Sequence, residues 1–126
     1  MSAVRVLVVE DDSGVRGLLE TMLSAEGYDV TTASDGLGGL RKAASALPAL
    51  ILLDLRMPDL GGAHVLEQLQ EDPALAGVPV IVLTGDLEAV PRVSALLGAG
   101  NVFRKPFAVG ELLSRVGDLT GGPGAA

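Results

Sequence analysis

Five short apolar runs recur along the chain, with a helical pattern after each: Val4–Val9, Tyr28–Ala33, Leu50–Leu53, Val78–Leu83 and Asn101–Arg104. This alternation restricts the fold more than any other feature. Three of the runs are nearly continuous in Val, Ile and Leu, as expected of parallel strands covered on both faces. Val15, Leu18, Leu19 and Met22 predict a first helix, with Ser13 as N-cap and Gly27 as stop. Leu37, Leu40, Ala44 and Leu47 predict a second, ended by Pro48, and Val65, Leu66 and Leu69 a third. A fourth is expected from about Glu88 to Leu97, where Pro91 is tolerated only in the first turn. Val109, Leu112, Leu113, Val116 and Leu119 predict the fifth. Right-handed crossovers then give an α/β fold, an open five-stranded parallel sheet with helices on both faces. Residues 1–120 read as one domain, and GGPGAA at 121–126 as a flexible tail or the start of a linker.

Composition narrows the function classes. The chain has 126 residues, 48% of them hydrophobic but only 2% aromatic, so its core must be built from Leu, Val and Ala. It has no cysteine, which excludes disulfides, zinc–thiolate sites and cysteine nucleophiles. No apolar run approaches the ~20 residues of a membrane span. The N-terminus reaches acids before a signal-peptide core forms, so a cytoplasmic protein without a membrane partner is expected. The formal net charge of −7 disfavours direct nucleic-acid binding. The only lysines are Lys42 and Lys105, in a chain that otherwise uses Arg.

In open α/β sheets, ligands bind beyond the carboxyl ends of the strands. There the chain places Glu10, Asp11 and Asp12; Asp54; Thr84, Gly85 and Asp86; and Lys105. If strands 1, 3, 4 and 5 lie side by side, ~4.8 Å apart, Glu10 and Asp11 would fall close to Asp54, with Thr84 and Lys105 on the other flank. One lysine cannot balance several carboxylates, whereas a hard divalent cation such as Mg²⁺ can. Beside it, a carboxylate can act as a nucleophile toward a phosphoryl group. A lysine point charge, a Thr hydroxyl and the Gly85 N–H would steady that group's oxygens.

The motifs VLVVEDD, LLDLRMPDLGG, VIVLTG and FRKPF, in this order and spacing, resemble the receiver domain of bacterial response regulators. The resemblance spans roughly Val4 to Leu119 and implies the flavodoxin-like strand order 2-1-3-4-5. It implies Asp54 as phosphoacceptor. It implies Mg²⁺ (or Mn²⁺) held by Glu10, Asp11, Asp54 and the backbone carbonyl of Arg56. Thr84 and Gly85 resemble the switch hydroxyl and its neighbour, Lys105 the phosphate-pairing lysine, and Pro106 the residue after a cis peptide bond. The implied function is a phosphoryl-accepting switch in two-component or phosphorelay signalling, not a metabolic enzyme. Its partners would be a histidine kinase or histidine phosphotransfer protein and a downstream protein, with a homodimer through helix 4, strand 5 and helix 5 compatible with it.

The sequence also departs from the family pattern. Gly61 stands where the family often has Asp, and Glu10 is a variant of Asp. Val102, followed by Phe103, stands where the read-out aromatic is usual. The segment from Thr84 to Lys105 is about one residue short, which shifts the fourth helix. Arg56 and Asp86, each two residues past a site residue, are expected to pair across the pocket mouth and gate water. Asp12 reads as a solvated loop acid, Lys42 as a surface lysine and His64 as an exposed residue without a role. Two alternatives stand beside this reading. One is a degenerate receiver that only binds protein. The other is an aspartate-nucleophile phosphohydrolase, which would want an acid where Arg56 stands.

Overall fold

In the computed structural model, which describes residues 3–57 and 59–124, all five apolar runs form strands and every pair is parallel. The chain runs β1 (Arg5–Val9), α1 (Ser13–Ala25), β2 (Asp29–Ala33), α2 (Gly36–Ala46), β3 (Leu50–Asp54) and α3 (Gly62–Glu71). It continues through β4 (Val80–Thr84), α4 (Val90–Leu97), a 3₁₀ turn (Ala99–Asn101), β5 (Val102–Arg104) and α5 (Val109–Thr120). The strand order is β2-β1-β3-β4-β5, the expected one. Pro58 of the MPDLGG loop and Ala125 and Ala126 of the tail lie outside the described residues.

Side chains alternate across a strand, so each strand feeds two cores. Leu7, Val9, Ile51, Leu53 and Val82 pack with Ala43 of α2, Val65 and Leu69 of α3 and Val93 of α4. Val6, Val8, Leu52, Ile81 and Leu83 pack with Leu19 and Leu23 of α1 and Leu112 and Val116 of α5. Every residue of β3 and β4 is buried. Each such Leu, Ile or Val contributes roughly 1.5–3 kcal/mol by leaving water. That burial, and not aromatic packing, is what holds the sheet between its helices.

Three local expectations are corrected. The N-cap of α1 is Asp12, not Ser13. The Asp12 carboxylate accepts from the N–H groups of Gly14 (2.8 Å) and Val15 (3.0 Å), so it is not merely a solvated acid. The buried face of α2 is Gly36, Gly39 and Ala43, whereas Leu37, Ala44 and Leu47 are exposed. The glycines turn inward because the helix lies close against the sheet: a Cβ added at Gly39 would stand 2.8 Å from Val9 Cγ1. Helix α4 starts at Val90 instead of about Glu88, with Pro91 in its first turn, where a missing N–H is harmless. Within residues 121–124 one backbone bond runs back to the domain. The Pro123 carbonyl accepts from Val4 N–H (3.2 Å), which ties this stretch to the start of β1.

Leu47 closes α2 at φ 46°, ψ 67°, and the residue is 58% exposed. A leucine in this left-handed conformation loses about 1 kcal/mol that glycine would not. Leu47→Gly is therefore expected to stabilise the fold by about 0.5–1 kcal/mol. A urea midpoint at or below that of wild type would contradict this.

Candidate functional site

The carboxyl ends of β1, β3, β4 and β5 meet at one edge of the sheet, because parallel strands all end on the same side. The register sets Val9 opposite Leu53, Asp54 opposite Leu83 and Thr84 opposite Arg104. The next residues, Glu10 and Lys105, close the group. Glu10 is 1% exposed, Asp54 4% and Thr84 0%, so three polar side chains are buried at the end of an apolar sheet. Asp11 is exposed, as is Gly85.

Each buried polar group has a partner, which burial demands. Lys105 Nζ donates to Glu10 Oε1 at 2.7 Å and stands 3.6 Å from Asp54 Oδ2. Asp54 Oδ1 accepts from Arg56 N–H at 3.2 Å, and Thr84 Oγ1 from Asp86 N–H at 2.9 Å. Carboxylate oxygens of Glu10, Asp11 and Asp54 all lie within 4.8 Å of one another. Burial and the adjoining Asp54 carboxylate outweigh the attraction of Lys105 and push the Glu10 carboxyl up to about 7. Burial alone would lower the Lys105 ammonium, but Glu10 and Asp54 reverse this and raise it. Three carboxylates facing one lysine leave surplus negative charge, and the donors are all oxygens. A hard divalent cation fits that set.

Other expected residues fall elsewhere. Arg56 and Asp86 form no ion pair with each other among the described residues. Asp86 instead accepts from Glu88 N–H (3.0 Å), a local turn bond that holds its carboxylate on its own loop. Val102 packs with the core on the α4 side and Phe103 with the core on the α1/α5 side, because they are successive residues of one strand. The aromatic beside the usual position is thus on the opposite face of the sheet from α4. His64 is exposed on α3, and Lys42 is exposed with its ammonium donating to the Thr32 carbonyl. The Lys105–Pro106 peptide is cis, as the resemblance implied.

Two residues that hold the site's loops escaped the sequence reading. Asp59 accepts from the N–H groups of Gly36 and Leu37, both at 2.9 Å, and clamps the β3–α3 loop to the start of α2. Those two bonds, Leu37's first, hold its carboxyl below the usual range. The clamp restrains the turn that Gly61 leaves without a side-chain cap. Arg16 Nη1 donates to the carbonyls of Glu10 (3.0 Å) and Asp11 (3.2 Å). A group with a depressed carboxyl contributes stability above its ordinary value that is lost as pH falls through the folded one. Asp59→Asn is therefore expected to flatten the loss of stability below about pH 4; urea titrations at pH 3 and pH 6 that give the wild-type difference would refute this.

Residues 6–117 match the family model described as the response regulator receiver domain. The chain belongs to this family. As a receiver it is a signalling module of two-component systems, whose response regulators work with histidine kinases and downstream effectors. The receiver is 39% identical over 113 residues to a probable transcriptional regulator, ycf27, of Guillardia theta, covering 89% of this chain and 43% of the relative. It is 36% identical to the DNA-binding dual master transcriptional regulator RpaA of Synechocystis, covering 89% and 47%. It thus spans under half the length of these relatives. One of them is named as DNA-binding, so the expectation of no nucleic-acid partner finds no support there. Among solved structures, the receiver domain of sensor histidine kinase PA1611 of Pseudomonas aeruginosa has a TM-score of 0.85 and 29% identity, with 95% of this chain and 99% of that one covered. That structure has a magnesium ion coordinated in its active-site cleft. In this receiver, no helix among the described residues is long and apolar enough to cross a membrane.

Proposed function

We propose that this receiver takes a phosphoryl group onto Asp54, with Mg²⁺ (or Mn²⁺) held by Glu10, Asp11, Asp54 and the Arg56 carbonyl. The observation that carries this reading is Asp54 itself. It is a buried carboxylate at the end of an apolar strand, within reach of two further acids and 3.6 Å from a lysine ammonium. Such an acid is costly to bury unless it has work to do. An Asp54 oxygen forms a bond to phosphorus while the P–N bond of a phosphohistidine breaks and its imidazole leaves with the electron pair. Lys105 moves from Glu10 to the incoming oxygens. The Thr84 oxygen already accepts from Asp86 N–H, which leaves its own O–H to donate to the phosphoryl group. When bound, the metal supplies charge neutralisation for the acids and the phosphoryl oxygens. Water attack at phosphorus later restores the carboxylate.

The donor in this reading is a histidine kinase or a histidine phosphotransfer protein. An apolar groove of about 420 Å³ lined by Val15, Leu18, Pro106, Phe107 and Val109 adjoins Lys105. It offers such a donor an anchoring surface beside the reactive group. Thr84 and the β4–α4 loop would carry the change toward the α4–β5–α5 face, with Val102 rather than an aromatic on the α4 side.

Incubation with acetyl phosphate tests the reading by intact mass. One phosphoryl group should be gained with Mg²⁺ and none with a chelator. No gain in either arm overturns the phosphoacceptor assignment, and equal gain in both overturns the metal. Metal binding should also depend on pH, because it needs an ionised Glu10 and the folded pKa is about 7. Mg²⁺ affinity is expected to fall about tenfold from pH 8 to pH 6. Without metal the sign for stability is opposite to the Asp59 case. An acid with a raised folded pKa contributes stability below its ordinary value of 4.5 that is lost as pH rises through about 7. Calorimetric titrations giving equal affinity at both pH values would refute the role of Glu10.

A further inference from the structure

Arg16 stands in the first turn of α1, four residues after the N-cap Asp12. A cation there opposes the helix dipole, and its neighbours Gly14 and Gly17 are weak helix formers. No acidic side chain lies in that first turn to draw it. The guanidinium instead turns back and donates from one nitrogen to two successive carbonyls, those of Glu10 and Asp11. These two peptide units set the direction in which the Glu10 and Asp11 side chains leave the backbone. Glu10 has further restraints: its N–H donates to the Ala33 carbonyl, and its carboxylate is held by Lys105. Asp11 is exposed, and among the described residues its one hydrogen bond is the one its carbonyl accepts from Arg16. Yet its carboxylate comes within 4.8 Å of those of Glu10 and Asp54.

We infer that Arg16 is a positioning residue that locks the β1–α1 loop so that the Asp11 and Glu10 carboxylates converge on a divalent cation. The inference rests on the reading of those two acids as metal ligands. It makes a prediction whose sign separates it from simple electrostatics. A positive charge near a cation site repels the cation, so if Arg16 acted only by charge, its removal would tighten Mg²⁺ binding. If it acts by holding the loop, removal weakens binding although a repulsive charge is gone. Groups that orient metal ligands in this way typically change affinity by 10-fold or more.

The test is Mg²⁺ affinity by isothermal titration calorimetry on wild type, Arg16→Met, Arg16→Lys and Asp11→Asn, each at matched folded fraction by circular dichroism. Methionine keeps the apolar stem and loses the donors. Lysine keeps the charge and loses the reach of the guanidinium, and serves if the Met variant does not fold. Arg16→Met is expected to bind about tenfold more weakly, with Arg16→Lys between it and wild type. Unchanged or tighter binding by both Arg16 variants, with Asp11→Asn weakened, overturns the inference alone. Unchanged binding by Asp11→Asn overturns the metal-ligand reading beneath it.

Discussion

Asp54→Asn is expected to abolish phosphoryl gain from acetyl phosphate and, at the same time, to make the metal-free fold more stable. The first effect follows from the nucleophile: an amide oxygen carries no charge to attack phosphorus. The second follows from the charges around it. Asp54 is 4% exposed and shares Lys105 with Glu10, and its carboxylate helps to raise the Glu10 pKa to about 7. Two acid side chains here face a single ammonium, and at pH 8 Glu10 is above its value of about 7. Asparagine removes one charge, leaves an oxygen for Arg56 N–H and offers Glu10 an N–H in return. A gain of about 0.5–2 kcal/mol in urea at pH 8 is the size usually found when a functional site is relieved of strain. Loss of phosphorylation together with loss of stability would point to misfolding, and retained phosphorylation would move the acceptor to another residue.

Gly62→Ala should have the largest effect on the fold of any small substitution in the site's loops. Gly62 opens α3, and its N–H donates to the Leu55 carbonyl at 2.9 Å. A Cβ there would stand 2.4 Å from Leu55 Cα and 2.5 Å from the Asp54 carbonyl oxygen. Both are backbone atoms, so no rotamer change relieves the contact. Either α3 leaves the sheet or the end of β3 moves and carries Asp54 and Arg56 with it. The expected loss is about 3 kcal/mol, at the upper end for overpacking, read as a lowered urea midpoint. Mg²⁺ affinity should fall in the part that remains folded. Gly61→Ala is the informative contrast. Among the described residues, no atom beyond its chain neighbours lies within 4 Å of a Cβ there, but φ is +74°, so its loss comes from the backbone and should be smaller. A Gly62→Ala protein as stable as wild type would mean that the close approach of α3 to β3 is not required.

What was legible came from periodicity, from one topological rule and from the resemblance to receiver domains. Apolar runs of strand length alternating with helices can close only a few ways, and parallel strands bring their carboxyl ends to one edge. Which strands lie side by side came from the resemblance, whose implied order 2-1-3-4-5 makes neighbours of Glu10, Asp11, Asp54, Thr84 and Lys105. Most of the α2 face was not: of the stripe Leu37, Leu40, Ala44 and Leu47, which follows hydrophobicity, Leu40 alone packs on the core, and packing against Val9 and Val65 selects the glycines for their size. The Arg56–Asp86 pair failed for a local reason: Asp86 satisfies a backbone N–H two residues away and does not reach across the mouth. Arg16 left a trace in the sequence, a cation in a first helical turn. Asp59 left none, since its partners Gly36 and Leu37 lie more than 20 positions away.

The sequence by itself determined the order of elements, the edge at which chemistry gathers and the residue types at that edge, because these depend on local periodicity and chain direction. The tertiary structure alone decided which partner each group takes. Lys105 hydrogen-bonds Glu10 and stands farther from Asp54, Arg16 and Asp59 brace the two loops, and Phe103 faces α1 and α5 while Val102 faces α4. Hydrogen bonds and ion pairs act over about 3 Å. Which donors and acceptors come that close is fixed only when helices and loops settle on the sheet.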